Sequence, residues 1–592
     1  MANHLEQTWV AYAFDEAAAE SELQERCRRV RAHTQQLFAE EILEEGALGP
    51  CLGLALWRRP DPRLRAALFA SDERLAVAVT SPITGAGSLG AADSSLQAVG
   101  AALVGDPAGA TRLNPPFVIG IATAARDRLV IANDVIGTAR LFELRTGAGR
   151  IWSNRIGALV AFAGHRPPLD ARAWQGLAAT GWFLGETTSL EGVRQLRSAT
   201  TVVAERRGER TVIDERRDPD ALAALVRPRR IRLRRSARAA ADAARTLAQD
   251  VDRSWDCKVR VDLSGGRDSR VSAAAALAVG VDAEFRTSDL EYGEVDVVRE
   301  LMARAPANPE HSVKQAESEP DDALAGRLRG LHLVHDGVRN PQSLLRSSMP
   351  LPHGPLEAPV LSGHGGELGH GFYYSSAAEI RKLRRGGPET LLERLDKAAR
   401  KKHGAAREEA YATYLDEART TLAEGRELGL EGPALLDHYY LAQRLANRSG
   451  LTTRNERWSA CSTPEFIRAC FDLTPKQRLA SRMHRLVISE LVPAWADAPW
   501  FEAHPDTSVT KRTRIWDKPG HREELGQIIE SDESWHDLFA VAEVKAAWAE
   551  ARGGEIHPHW ESVFTRIVWR ATFERHLSVL DRAAGTGLPR TS

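Results

Sequence analysis

Apolar and polar positions alternate at residues 259–263, which read VRVDL and predict a short β-strand. The strand runs into a glycine turn, SGG, at residues 264–266. An alanine-rich stretch from Ser269 onward predicts a helix directly after the turn. The sequence therefore predicts a strand, a tight turn and a helix start within residues 259–275.

This strand–turn–helix arrangement predicts an anion site. Glycines let backbone N–H groups approach an oxyanion, and a helix N-terminus adds partial positive charge. Asp268 lies inside the turn and has the wrong charge to hold a phosphate directly. Its position makes sense if it binds Mg²⁺, which then bridges phosphate oxygens.

The N-terminal third has a weaker pattern. Residues 117–122 and 128–132 alternate like two strands joined by a short turn, and residues 76–80 predict another strand. Mixed leucines, acids and arginines predict a helix over residues 17–45. The small residues of 85–109 predict a loop region.

Farther along the chain, residues 283–287 and 358–361 predict two more strands. The second runs into a glycine-rich stretch at residues 362–374. Residues 391–457 predict helices with charged faces. Tryptophans within residues 516–592 are interpreted as helix packing, with a substrate groove as the alternative.

Composition restricts the class of protein. A chain of 592 residues is too long to fold around a single hydrophobic core, so we expect two or three domains. A formal net charge of −1 gives no bulk attraction to nucleic acid or acidic membranes. Five cysteines without disulfide or CxxC spacing fit a reducing compartment. With a polar N-terminus and no apolar run near ~20 residues, we expect a cytoplasmic protein without membrane insertion.

The two glycine segments resemble a known family. Residues 264–269 read SGGRDS and are similar to the SGGxDS pyrophosphate loop of the asparagine synthetase family. Residues 362–374 read SGHGGELGHGFYY and resemble that family's second loop, LSG[ED]GADELFGGY. An ordered series of short pieces over residues 133–193 resembles its glutaminase-type domain. The resemblance covers roughly residues 116–515.

The resemblance implies an α/β fold with two parts. A glutaminase-like, Ntn-type α+β sandwich comes first, and a pyrophosphatase-type, doubly wound parallel sheet with extra C-terminal helices follows it. We expect the first domain at 1–215, a basic linker at 216–238 and the synthetase domain at 239–592. The linker can also be interpreted as a basic patch for an acidic peptide or nucleic acid, but no aromatic residues interleave its arginines.

The same resemblance implies ATP and Mg²⁺ as cofactors. Asp268 and Glu367 take the places of metal-binding acids. The implied nucleotide contacts are Ser264, Gly265, Gly266, Asp268, Ser269, Thr287, Ser362 and Gly363. Leu368 departs from the family pattern, where a second acid follows the first.

Two residues are candidates for catalysis. His364 replaces a family acid that faces the incoming nucleophile, and an imidazole can take a proton from an amine near neutral pH. The alternative is that His364 only packs within its loop. Lys511 resembles the family's catalytic lysine, with Arg512 and Lys518 as alternatives. A zinc site at His364, Glu367 and His370 is disfavoured, because five glycines between 363 and 371 make a helix costly.

One departure removes glutamine as the amine source. The family's glutaminase nucleophile is a cysteine directly after the initiator methionine, and this chain has Ala2. The nearest cysteine, Cys27, lies in a helical pattern and cannot use its own α-amino group as a base. We therefore expect a retained fold without glutaminase chemistry.

These expectations converge on an ATP-dependent, AMP-forming amide-bond ligase. Within the family, lasso-peptide cyclases join a peptide's N-terminal amine to an Asp or Glu side chain, and β-lactam synthetases close a small ring. We favour the lasso-type cyclase, acting on a peptide substrate with a leader-binding protein and a leader peptidase as partners. An ammonia-dependent asparagine synthetase and a non-catalytic nucleotide-binding scaffold are the alternatives.

Overall fold

The computed structural model describes residues 7–37, 41–91, 93–229, 231–289, 291, 293–306, 308–315, 324–338, 358–448, 457–501, 516 and 518–585. The strands, in chain order, are β1 (Gln7–Phe14), β2 (Leu43–Ala47), β3 (Leu52–Arg58), β4 (Phe69–Ser71), β5 (Leu75–Val79), β6 (Val118–Thr123), β7 (Arg128–Asn133), β8 (Phe142–Thr146), β9 (Gly149–Ser153), β10 (Val193–Gln195), β11 (Thr200–Arg207), β12 (Arg210–Arg217), β13 (Val259–Asp262), β14 (Ala283–Asp289), β15 (His311–Gln315), β16 (Val360–Ser362) and β17 (Arg457–Ser459).

The helices are α1 (Glu20–Gln35), α2 (Leu96–Gly105), α3 (Ile156–Ala163), α4 (Ala171–Thr180), α5 (Pro219–Val226), α6 (Leu233–Arg253), α7 (Asp268–Val279), α8 (Glu294–Ala303), α9 (Leu324–His335), α10 (Ala377–Arg385), α11 (Gly387–His403), α12 (Glu408–Glu427), α13 (Pro433–Tyr439), α14 (Ala446–Arg448), α15 (Pro464–Phe471), α16 (Pro475–Leu479), α17 (Arg482–Leu491), α18 (Pro519–Ser531), α19 (Val541–Ala551) and α20 (Pro558–Ala583). A π-helical turn, Tyr440–Leu445, joins α13 to α14.

The N-terminal part is a sandwich of two antiparallel sheets. Among the described residues, one sheet has the strand order β10-β8-β9-β1-β3-β2 and the other β12-β11-β7-β6-β5-β4. Strand β3 packs on β5, β6 and β7 across the interface. Helix α3 covers the first sheet, with α1 packed on α3, and α2 covers the second sheet. Every residue of β1 is buried, because both faces of this strand are covered. The expected α+β sandwich is confirmed.

The next sheet is parallel and doubly wound. Its order in the described chain is β15-β14-β13-β16-β17, and each pair runs parallel. The chain moves from β13 outward through β14 and β15, then returns to the other side of β13 for β16 and β17. The strand order therefore reverses between β13 and β16. In sheets of this kind, ligands bind at the carboxyl ends of the strands at such a switch point.

Two local expectations were wrong. Residues 85–109 contain α2, whose small residues allow close packing: a Cβ on Gly100 would lie 2.4 Å from Cγ2 of Val77. The predicted helix over 17–45 ends at Gln35, and residues 43–47 pair instead with β3. Sheet pairing there outweighs local helix preference.

The C-terminal part is helical, as predicted. Of its five tryptophans, Trp516, Trp535, Trp548 and Trp569 are buried among helices. The basic segment at 216–238 also contains α5, whose apolar face packs on α15. Within the ranges that the structure describes, none of the helices has the length and apolar character needed to cross a membrane.

Candidate functional site

The first glycine loop connects β13 to α7 and is closed by its own serines. The backbone N–H of Ser264 donates to Oγ of Ser269 at 3.0 Å, and the two hydroxyl oxygens lie 3.0 Å apart. The N–H of Gly266 donates to Oγ of Ser264 at 3.2 Å. These bonds hold the turn against the first residues of α7.

Gly265 is bonded on both sides by protein groups. Its N–H donates to Oε1 of Glu294 at 3.1 Å, and its carbonyl accepts from the N–H of Phe501 at 2.8 Å. A Cβ on Gly265 would lie 2.5 Å from Cβ of Phe501, so glycine is required by this close approach. Glu294 at the start of α8 therefore fixes the loop from one side and Phe501 from the other.

Arg270 fastens the same loop to residues 498–500. Its Nη2 donates to the carbonyl oxygens of Gly265 and Pro499 at 2.8 and 2.5 Å. Its guanidinium carbon lies 4.5 Å from the ring centre of Trp500. Burial, reinforced by nearby Arg485, lowers the pKa of Arg270 to about 10. The group remains a cation near neutral pH, which lets it hold these carbonyls.

Asp268 lies between two histidines. Nε2 of His484 is 2.8 Å from one carboxylate oxygen, and Nε2 of His370 is 3.6 Å from the other. The closer contact has an ion-pair distance but poor hydrogen-bond alignment. Burial raises the pKa of Asp268, but the contacts with the two histidines and their charges outweigh burial, so this pKa lies well below its ordinary value. The carboxyl group is therefore an anion near neutral pH.

The second glycine loop follows β16 and packs on the first. Ser362 is buried, and its carbonyl accepts from Oγ of Ser272 on α7 at 2.6 Å. A Cβ on Gly363 would lie 2.2 Å from the backbone nitrogen of Ser269. The two loops are thus in backbone contact, and only glycine allows it.

His364 is half-buried and its backbone is fixed. The carbonyl of His364 accepts hydrogen bonds from Oγ of Ser459 at 2.6 Å and from Oγ of Ser462 at 3.0 Å. Both serines lie at or just after β17, next to β16 in the sheet. The loop position of His364 is therefore set by its backbone.

Glu367 follows a residue that packs on Asp268. A Cβ on the preceding residue, Gly366, would lie 2.3 Å from Cγ of Asp268. Oη of Tyr440 donates to Oε2 of Glu367 at 2.9 Å. Burial and then the negative charge of Glu367 raise the pKa of Tyr440 well above its ordinary value, so the phenol keeps its proton. The acids expected to bind metal thus come from facing loops.

The other predicted residues are not gathered as closely. Thr287 is buried on β14, where its Oγ1 donates to the carbonyl of Leu263 at 2.9 Å and lies 2.9 Å from Nε2 of His311. Lys511 and Arg512 lie outside the described residues. Lys518 precedes α18.

The residues present fit a magnesium nucleotide. Mg²⁺ commonly takes one or two protein carboxylates and completes its shell with phosphate oxygens and water. Asp268 and Glu367 supply such a pair. The outer side of Gly266 is open, since a Cβ there would meet only Oγ of Ser264, at 3.2 Å. In contrast, the described residues contain no group of three or more His, Cys, Asp or Glu that could hold a metal, which gives the zinc interpretation no support.

Cys27 is a poor nucleophile. It is buried within α1, and burial, followed by the charge of Glu44, raises the pKa of its thiol to about 12. A thiol with this pKa holds almost no thiolate near neutral pH. Ala2 lies outside the described residues.

The sequence did not indicate His484, Tyr440 or Arg270 as site residues. It also did not indicate that Glu294 contacts the first glycine loop. His370 was considered only as part of a zinc pattern. Arg270 directly follows the SGGRDS turn, and this adjacency was the one available signal. His484 and Tyr440 lie on distant helical segments, so only the folded chain brings them to the loops.

Comparisons with known proteins identify no family. No protein-family model matches the chain, and no curated protein does. Among solved structures, the allosteric regulatory enzyme of purine biosynthesis is 13% identical, with a TM-score of 0.23, covering 53% of this chain and 82% of that chain. Glutamine phosphoribosylpyrophosphate amidotransferase from B. subtilis, complexed with ADP and GMP, is 12% identical, with a TM-score of 0.22, covering 66% and 92%. Neither likeness supports a statement about the activity of this chain.

Proposed function

We propose that this protein is an ATP-dependent, AMP-forming amide-bond ligase. The observation that carries this proposal is the meeting of two glycine loops at the switch point between β13 and β16. There Gly366, the residue before Glu367, packs on Asp268 at the start of α7. Carboxylates beside a helix N-terminus suit a magnesium-bound polyphosphate.

The nucleotide would be held by groups already described. The serines and glycines of the first loop, together with Ser362 and Gly363, would contact phosphate oxygens. Asp268 and Glu367 would hold Mg²⁺, which neutralises phosphate charge when bound. The backbone of Thr287, on the neighbouring strand, would hold the adenine.

The proposed reaction has two steps. A substrate carboxylate attacks the α-phosphorus of ATP, and pyrophosphate leaves. A substrate amine then attacks the acyl carbon, AMP leaves, and the amine proton passes to a base. His364 is the proposed base, and Lys511 is proposed to stabilise negative charge on the reacting phosphate and the tetrahedral intermediate.

The proposed substrate carries both the acid and the amine. Cys27 lacks thiolate character, which supports an amine source other than glutamine hydrolysis. We propose lasso-type macrolactam formation between a peptide's N-terminal amine and an Asp or Glu side chain. A leader-binding protein and a leader peptidase are the proposed partners, in the cytoplasm.

The test is mass spectrometry of the purified protein with ATP, Mg²⁺ and the linear precursor peptide encoded beside its gene. We expect AMP and loss of one water from the peptide, with neither product from Asp268→Ala. His364→Ala should slow ring closure more than peptide-dependent pyrophosphate–ATP exchange, and intact closure would exclude His364 as the base. The variants Lys511→Ala, Arg512→Ala and Lys518→Ala, assayed in parallel, test which of these three cations has the catalytic role proposed for Lys511.

Two further outcomes separate the alternatives. AMP formation with an unchanged peptide mass would keep the adenylation chemistry and move the substrate to a small molecule, as in a β-lactam synthetase-like enzyme. AMP formation with aspartate and ammonia would indicate an asparagine synthetase-like activity.

A nucleotide-binding scaffold is the second candidate function. It is favoured by the observation that Gly265 already donates to Glu294 and that Asp268 already contacts His484. Both groups would have to exchange partners during catalysis. Calorimetric ATP binding without AMP formation, for every acid tested, would favour this candidate over the ligase.

A further inference from the structure

A groove between α10 and α11 lies outside the site described above. It encloses about 350 Å³. The exposed Lys382, Lys397 and Lys401 line it, together with Leu383, Thr390 and Ala398. We call this feature the basic groove. Its volume is within the usual range for ligand clefts.

The charge of these two helices differs from that of the whole chain. Residues 377–403 contain nine lysines and arginines against four acids, whereas the chain carries a formal net charge of −1. The local acids are partly used: Arg394 pairs with Glu379 at 2.6 Å, and Arg400 pairs with Asp396 at 2.9 Å. The excess positive charge of these helices therefore comes from lysines and arginines other than Arg394 and Arg400.

Those remaining cations are exposed. Within the described part of the chain, no ion pair involves the set Arg381, Lys382, Arg384, Arg385, Lys397 and Lys401. Like charges collected on one surface repel one another, and a bound anionic partner relieves that repulsion. The surface is therefore complementary to an acidic partner.

The lining favours polypeptide over nucleic acid. Glu379 and Glu393 also line the groove, but Arg394 pairs with Glu379 at 2.6 Å and so offsets part of their negative charge. None of the described lining residues is aromatic, so bases would find no ring on which to stack. An acidic polypeptide segment fits the exposed lysines of the lining.

The basic groove is also continuous with the site loop along the chain. Helix α10 starts directly after Ser376, whose Oγ caps the helix by accepting from the N–H of Glu379 at 3.2 Å. Phe372, at the end of the second glycine loop, is 36% exposed, and the guanidinium carbon of Arg444 lies 4.0 Å from its ring centre. This loop thus presents an apolar ring shortly before the basic helix begins.

We propose that the basic groove binds an acidic polypeptide segment of a partner protein. This binding needs no ATP chemistry, so it stands or fails separately from the ligase proposal. It predicts attraction that weakens as salt rises, because exposed charges are screened.

The experiment is fluorescence anisotropy of the full chain with a labelled dodecapeptide of glutamate and leucine. The test variant combines Lys382→Glu, Lys397→Glu and Lys401→Glu. The matched control combines Arg426→Glu on α12 with Arg575→Glu and Arg582→Glu on α20, all at exposed positions, and it changes net charge by the same amount. We expect the test variant to weaken binding about tenfold or more and the control to change it less than about twofold.

Three results would overturn the proposal. They are equal losses in both triple variants, equal binding of a peptide with glutamine in place of glutamate, and tighter groove-dependent binding of a labelled oligothymidylate. If the charge-reversed protein fails to fold, the glutamine triple Lys382→Gln, Lys397→Gln and Lys401→Gln replaces it, with a smaller expected loss in the same direction. AMP formation measured alongside should be unaffected, which separates this test from that of the ligase.

Discussion

Nε2 of the fully buried His484 lies 2.8 Å from Oδ1 of Asp268, the acid of the first glycine loop. The histidine is on α17, and the aspartate is the first residue of α7. A Cβ on Gly369 would lie 2.5 Å from Cε1 of His484, so the second loop packs directly on the imidazole. One histidine therefore links both loops to a helix outside the sheet.

Replacing this histidine should destabilise the protein through Asp268. His484→Phe keeps a ring of similar size but leaves the carboxylate with His370 alone. We expect the free energy of unfolding to fall by about 1–3 kcal/mol, since a mostly buried polar group loses a partner. Urea unfolding of His484→Phe, Asp268→Asn and the double variant gives the coupling energy, which should be at least about 0.5 kcal/mol. Strict additivity would show that the contact contributes nothing.

Tyr440 should tune metal affinity through Glu367. Its hydroxyl donates to Oε2 of Glu367 at 2.9 Å, which orients that carboxylate. Tyr440→Phe should raise the Mg²⁺ concentration for half-maximal AMP formation about tenfold or more, with little change at saturating Mg²⁺. Tyr439→Phe is the matched control, because Tyr439 packs on the rings of Tyr373 and Tyr414. An equal shift in both variants would contradict a specific role for the Glu367 contact.

The sequence was most informative where local pattern and geometry coincide. Alternation at 259–263 and the turn after it predicted β13 and the start of α7, because a strand, a glycine turn and a helix start are specified by neighbouring residues. The two six-residue hairpin strands β6 and β7 were predicted for the same reason.

Contacts between distant residues could not be predicted in this way. Nothing at position 484 indicates a partner at 268, and nothing at 294 indicates that its carboxylate bonds to Gly265. Such pairs depend on how α8 and α17 pack on the sheet. Small-residue stretches mislead in the opposite direction, since α2 was read as a loop although its alanines and glycines fit closely against β5.

The contact between the two loops should be intolerant of side chains. A Cβ on Gly363 would lie 2.2 Å from the backbone nitrogen of Ser269, and backbone cannot move aside cheaply. We expect Gly363→Ala to lower the free energy of unfolding by about 1–3 kcal/mol and to reduce AMP formation. Gly147→Ala is the control, because a Cβ there meets no atom within 4 Å. Urea denaturation compares the two, and equal effects would mean that the loops separate readily.

A buried histidine far from the glycine loops should make stability depend on pH. His33 on α1 is 1% exposed and faces Asp336, His576 and Arg155. Burial lowers its pKa to about 4, with Asp336 opposing the shift and His576 and Arg155 adding to it. The ordinary histidine pKa is about 6.5, so the unfolded chain binds a proton between pH 6.5 and pH 4 that the folded chain does not.

This difference makes unfolding easier as pH falls. The stabilisation from a neutral His33 is fully present above about pH 6.5 and is lost progressively down to about pH 4, by about 3 kcal/mol in total. His332 and His438 are also buried, with pKa values lowered first by burial, and they act in the same direction. Urea unfolding of wild type and His33→Gln at about pH 6.5 and about pH 4 measures the contribution of His33 to this pH dependence, because the other two histidines are present in both proteins. We expect the stability advantage of wild type over the variant to shrink by about 3 kcal/mol at the lower pH, and an advantage independent of pH would contradict the lowered pKa.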